Sequence, residues 1–268
     1  MTTTRADLPP SEPLQQALRA RAGKDRWMPF VAFMDIALYE PGCGYYTADR
    51  ARVGRADDRD FTTAAAVGPV FDELVVASLV ELLGQGDPQD FTLVEVGVEP
   101  GQDSFASVAM PFGRRQRLCF GDPLEIPPRA VVFANELLDA QPCVRLRFEG
   151  GAWRELAVRL TDDDGLETFL APELSREARE VVERLPAEAP EGYHFDYAQR
   201  AETLLELLVS QPWEGVFLTL DYGKTWPELL AAVPQGTARA YYRQRQTPDL
   251  LARAGEQDLT SEIGRAHV

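Results

Sequence analysis

The segment Leu93 to Asp103 reads LVEVGVEPGQD, a run of strand formers that leads into Glu95, Gly97 and Gly101. A glycine just past a buried strand lets the backbone come close to a ligand, and a helix beyond it offers unpaired N–H groups to a carboxylate. The same residues serve equally well as a tight strand-to-helix turn, and on their own they leave both readings open. In FANELLDAQP, Phe133 to Pro142, Glu136 and Asp139 stand three apart, so one helical turn would put both carboxylates on one side. Such a pair can hold a guanidinium by bidentate hydrogen bonds and favour its nucleophilic nitrogen. Equally, Asn135 can cap that helix while the acids favour its N-terminal dipole. Asp221, in LDYG, follows a third apolar run, and Thr62 or Thr63 of DRDFTT precedes a helix as cap or ligand contact.

These residues need a scaffold, and three short continuous apolar runs supply one. Phe91 to Val96, Ala130 to Ala134 and Val216 to Leu220 have the character of strands buried on both faces. Each ends in polar residues: Glu95 and Gly97, Asn135 and Glu136, then Asp221 and Gly223. In a parallel sheet covered by helices, ligands sit beyond the carboxyl ends of the strands, so the pattern predicts a doubly wound fold with its site there. Helices are expected from Leu14 to Arg21, from Pro29 to Tyr39 and from Val67 to Leu83, the last stopped by Gly84. CVRLRFEGGAWRELAVRL alternates and turns at Gly150-Gly151, a hairpin signal. LSREAREVVERL and GYHFDYAQRAETLLELLVS read as two amphipathic helices, the second feeding the strand at Val216.

Composition removes several function classes. A net charge of -16 argues against a nucleic-acid surface, which needs clustered Lys and Arg, and suits an acidic soluble surface or a basic protein partner. Cys43, Cys119 and Cys143 are scattered with no CxxC spacing, which speaks for a reducing compartment and against a zinc site. No apolar stretch approaches a membrane span and the N-terminus lacks a signal-like apolar core, so no membrane partner and a cytoplasmic location are expected. His194 has no Ser, Cys or second His at useful spacing and receives no catalytic role.

Six segments in order then resemble the MidA family of S-adenosylmethionine-dependent methyltransferases. They are FMDIALYEPGCGYY, RDFTT, LVEVG, FANELLDAQP, LDYG and GTARAYYRQR…GEQDLT, between Phe33 and Thr260. Mitochondrial members of that family methylate protein arginine and assist assembly of respiratory complex I. The resemblance implies S-adenosyl-L-methionine as cofactor and a protein substrate or partner. Phe61, Thr63, Glu95, Gly97, Gly101 and Asn135 would shape the cofactor site. Glu136 and Asp139 would orient the guanidinium, with Asp221 lining the pocket.

Departures from the family pattern are specific. The family loop E-L-G-P-G-R-G becomes Glu95-Val96-Gly97-Val98-Glu99-Pro100-Gly101, which brings a negative side chain to its middle and removes a backbone donor at Pro100. Only 37 residues, Val98 to Ala134, separate Gly97 from Asn135, room for about one strand, with RLCF (Arg117 to Phe120) the candidate. Asp122, between a glycine and a proline, reads as part of a turn and not as a ribose-binding acid.

The expected fold is therefore an α/β, Rossmann-like class I methyltransferase sheet, shortened and C-terminally truncated. It carries an N-terminal helical region over 1–90, core segments over 91–144 and 193–262, and an inserted hairpin and helix over 145–192. Ile263 to Val268, IGRAHV, resemble the translation of a common sequencing adaptor, which predicts a natural chain running on past Ser261. A second functional reading, a non-catalytic relative that keeps the fold as a protein-binding or assembly module, stays beside the enzyme. A nicotinamide-dependent dehydrogenase is disfavoured, because no GxGxxG follows the strand at Phe91.

Overall fold

The computed structural model describes residues 10–48, 68–101, 103–243, 245–247 and 249–265. Contacts gather the chain into two units, one of residues 51–137 and 203–221, the other of 1–50, 138–202 and 222–268. The N-terminal stretch expected to form one helical region is thus shared between them.

The first unit is a parallel sheet. Its strands are β2 (Thr92–Val98), β3 (Arg114–Cys119), β4 (Arg129–Asn135) and β9 (Glu214–Leu220), in the order β3-β2-β4-β9 and all parallel. Helix α3 (Pro69–Leu83) covers one face, where Val75, Val76 and Leu79 meet Leu93, Val131 and Phe133. The other face, Val94, Val96, Leu118, Ala130 and Val132, is covered by Leu204 and Leu208 of α5 (Gln199–Val209) together with Trp213. This two-sided burial is why β2, β4 and β9 read as continuous apolar runs. β3 occupies the place expected for RLCF and starts earlier, at Arg114.

The link from β2 to β3 differs from the expectation. Among its described residues 99–113 there are turns and no helix, so no helix N-terminus follows the glycine loop. Instead Phe105 and Phe112 are buried against the sheet, and Phe105 meets Phe133 edge-on at 5.8 Å. Two aromatic rings do the covering that a crossover helix would do.

The second unit is built on an antiparallel sheet. Its strands are β1 (Trp27–Pro29), β5 (Val144–Glu149), β6 (Ala152–Leu160), β7 (Leu166–Leu170) and β8 (His194–Tyr197), in the order β1-β6-β5-β8 with β7 also on β6. The β5–β6 hairpin turns at Gly150 and Gly151, with φ of 64° and 77°, the left-handed pair that a two-residue hairpin favours. Helices α1 (Glu12–Ala22), α2 (Phe30–Tyr39), α4 (Arg176–Val182) and α6 (Trp226–Ala231) belong to the same unit, with α4 capped by the Ser175 side chain on Ala178 N–H. Short strands complete it: β11 (Arg239–Tyr242) lies between β12 (Arg245–Thr247) and β13 (Asp258–Thr260), and β10 (Gly223–Thr225) runs parallel to β14 (Ile263–Arg265).

The helix expected over GYHFDYAQRAETLLELLVS corrects to a strand followed by a helix. His194–Tyr197 pairs antiparallel with β5, and the helix begins only at Gln199. Phe195 and Tyr197 project into the aromatic core beside Trp153, Tyr193 and Leu229, a use of alternating aromatics that strand geometry permits and a helix does not. Residues read as an insertion beside the parallel sheet therefore form, with β1 and β8, a sheet of their own.

Candidate functional site

In the parallel unit the chain leaves β2 for β3 on one side and returns to β4 on the other. The two connections diverge between β2 and β4, the topological switch point at which open α/β sheets leave a crevice beyond the carboxyl ends. Three of the residues singled out above stand there. Gly97 sits at a register shift in the β2–β3 pairing, between Val96 and Val98, with φ 79° and an exposed backbone. A Cβ on Gly97 would lie 2.6 Å from Leu137 Cδ1, which would have to shift, and the left-handed φ strains any other residue at this bulge. Gly101 follows with φ 81° and nothing within 4 Å of a would-be Cβ.

Asn135 ends β4, next to the end of β2. Its Oδ1 is buried and has no hydrogen-bond partner among the described residues. A buried amide oxygen without a donor costs about 1–3 kcal/mol, a cost that a ligand N–H or O–H can cancel. On the adjacent strand Thr219, registered with Ala134, carries another buried polar atom, Oγ1, that has no partner among the described residues. The two belong to opposite faces of the sheet, because side chains alternate along a strand.

Glu136 takes φ 48°, a left-handed conformation uncommon for a non-glycine residue, and its N–H donates to Leu220 O at 2.8 Å. That bond ties the end of β4 to the end of β9, so Glu136 and Asp221 leave adjacent strand ends. The helical turn expected from Asn135 through Asp139 is absent, because the left-handed Glu136 cannot start a right-handed helix and residues 136–141 bend and turn instead. Neither the helix cap at Asn135 nor the one-sided pairing of Glu136 with Asp139 then follows from helical spacing.

Asp139 belongs to the other unit, where it is buried and its backbone O accepts from Ser261 N at 2.8 Å. There, Tyr39 donates its hydroxyl to Ala140 O at 3.0 Å and stacks on Tyr46. Burial, aided by the negative charges of Asp258 and Asp139, pushes both phenols well above their ordinary range. Phe61 and Thr63 lie outside the described residues.

Glu95 is buried and its Oε1 accepts from Arg115 Nε at 2.6 Å. Arg115 also reaches Asp103 through Nη1 at 2.5 Å, and Asp72 of α3 faces the same group. Burial first, and then the charge of Glu95, raises the Asp72 carboxyl above the usual Asp value. Sequence reasoning missed Arg115, Asp103 and Asp72. The one available signal was the basic run RRQR, residues 114–117, an odd composition for a strand. Among the described residues no group of His, Cys, Asp and Glu is placed to hold a metal, and no helix is long and apolar enough to cross a membrane.

A family profile described as "Putative S-adenosyl-L-methionine-dependent methyltransferase" matches residues 113–264, more than half of the chain. No curated protein matches the sequence. Among solved structures, a COG1565 superfamily member from Burkholderia thailandensis, bound to S-adenosyl-homocysteine, superposes with a TM-score of 0.78 at 23% identity. The match covers 97% of this chain and 76% of that one. A native COG1565 superfamily structure from the same organism gives a TM-score of 0.76, also at 23% identity, with the same coverage of both chains. At this identity the likeness is one of fold.

Proposed function

Because the chain belongs to the S-adenosyl-L-methionine-dependent methyltransferase family whose profile spans residues 113–264, we propose that it binds S-adenosyl-L-methionine beyond β2 and β4 and transfers its methyl group to a protein. The observation that carries this reading is the buried, unbonded Asn135 Oδ1 at the switch point, an acceptor awaiting a donor. The exposed bulge at Gly97, whose left-handed φ favours glycine, fits the same group, since it lets backbone approach without a side chain in the way. Gly101 leaves open space at the far end of the loop.

When bound, the cofactor supplies a methyl group activated by a sulfonium. The chain's own residues do the rest. Asn135 orients through its amide, and the Glu136 N–H bond to Leu220 fixes the strand ends from which Glu136 and Asp221 emerge. As substrate we propose a protein arginine. Two carboxylates can hold a guanidinium, keep one nitrogen turned to the donor and accept the proton it releases. Glu136 and Asp221 suit that task here, and Asp139 enters it from the sequence motif alone.

Calorimetry with S-adenosyl-L-methionine and S-adenosyl-homocysteine tests the cofactor. Micromolar binding that disappears in Gly97→Arg and weakens in Asn135→Ala is expected. No detectable heat from the parent chain, and none from Glu99→Gly, would turn the reading towards the protein-binding module. Methylation of arginine-containing peptides, compared with lysine-containing ones of equal charge, tests the substrate.

A further inference from the structure

The glycine loop begins beside Glu95 and ends near Asp103, and one guanidinium holds both ends. Arg115 stands on β3 in register with Leu93 of β2, and its side chain spans to Glu95, two residues nearer the carboxyl edge. Its Nε donates to Glu95 Oε1 at 2.6 Å and its Nη1 to Asp103 Oδ1 at 2.5 Å. The guanidinium carbon lies 5.5 Å from the ring centre of Phe105, and that ring is itself packed on Phe133. Cation and ring therefore fix the segment after the loop to the sheet through a charge and an apolar contact at once.

We propose that Arg115 is a positioning residue for the cofactor loop, doing with one side chain what a crossover helix does in a longer β2–β3 connection. The proposal rests on the cofactor reading above, because the loop is positioned for that ligand. Between the two anchored carboxylates lie Gly97 and Gly101, both in left-handed conformations that glycine leaves as easily as it enters. Without an external anchor such a loop samples many states, and each must be surrendered on binding. Charge-assisted bonds to a planar fork restrict it in advance, and a lysine cannot reproduce the fork because its ammonium is a single point.

Geometry also separates the two bonds. Glu95 is 2% exposed at its side chain, so the Glu95–Arg115 bond belongs to the core of the unit. Asp103 is 51% exposed, so its bond to Arg115 can be removed without burying an unpaired charge. Asp103→Asn is therefore the clean probe of the loop, and Arg115→Lys tests whether charge alone suffices.

The experiment is hydrogen exchange on the full chain without ligand, followed by calorimetry with S-adenosyl-L-methionine. In Asp103→Asn the amides of Gly97, Val98, Glu99, Gly101 and Asp103 should exchange about fivefold faster, while those of β5 and β6 keep their rates. The cofactor dissociation constant should rise by a similar factor of about five, since the lost order must be restored on binding. Arg115→Lys should show both effects and more strongly. Unchanged exchange in both variants overturns the proposal. If exchange quickens as expected but the parent chain binds no cofactor, the clamp stands and the cofactor reading falls. If the parent binds and both variants bind equally well, the clamp falls and the cofactor reading stands.

Discussion

In each unit an arginine meets a buried carboxylate, Asp196 in one and Glu95 in the other, and the two arrangements are built differently. In the antiparallel unit Arg145 Nε donates to Asp196 Oδ1 at 2.7 Å. The other oxygen of Asp196 accepts the N–H groups of Thr237 and Ala238 at 2.7 and 2.8 Å. That carboxylate is fully enclosed and engages both of its oxygens, so the pair holds the turn before β11 to β8. In the parallel unit Arg115 is 21% exposed, and its Nη2 is buried with no partner among the described residues. It bonds Glu95 and Asp103, and its charge also reaches Asp72. The first arrangement fixes one element of the fold to another, whereas the second shares one guanidinium between a core carboxylate and the segment after a loop, and so holds that loop to the sheet.

Four substitutions break or sharpen that contrast. Asp196→Ala should have the largest effect, about 3–5 kcal/mol lost in urea unfolding, because Arg145 is left buried and uncompensated. A loss below about 1 kcal/mol would remove the claim that this pair is structural. Arg115→Gln should cost less, about 2–3 kcal/mol, because it strips the buried Glu95 of its cation but leaves an amide that can still donate to it, yet it should impair cofactor binding where Asp196→Ala does so only through unfolding. Gly97→Ala should destabilise by about 1–2 kcal/mol, from its left-handed φ and the contact with Leu137, and should abolish cofactor binding in calorimetry.

The smallest effect concerns pH. The Asp72 carboxyl is held above its ordinary value of 3.8, first by burial and then by Glu95. The folded chain thus grips that proton more tightly than the unfolded chain does. The stability it contributes is fully present below the unfolded value and is lost as pH rises through the folded one. Asp72→Asn should flatten this slope above pH 3.8 in unfolding curves and leave the Arg145–Asp196 region untouched. A slope unchanged by the substitution would place its origin elsewhere.

Much of the parallel unit could be read from residues alone. The runs at Phe91, Ala130 and Val216 became β2, β4 and β9, because strands buried on both faces leave a continuous apolar signature. The glycine pair at 150 and 151 marked its hairpin for an equally local reason, a turn that needs positive φ. The antiparallel unit was less transparent. His194–Tyr197 was hidden ahead of a strong helical pattern, and only pairing with β5 makes it a strand. The site divides in the same way. The places of Gly97 and Asn135 at strand ends were legible from the apolar runs, whereas the reach of Arg115 to Glu95 was not, since it depends on the register of β3 against β2.

The sequence by itself determined which segments enter the parallel sheet and which residues stand at their carboxyl ends, because period and composition are local properties of a chain. Only the tertiary structure decided how those residues are used. It gave Glu95 to Arg115, left Asn135 Oδ1 without a donor, turned Glu136 left-handed and assigned Asp139 to the other unit. Each of these outcomes depends on strand order, register or packing between residues far apart in the chain, which a local pattern does not encode.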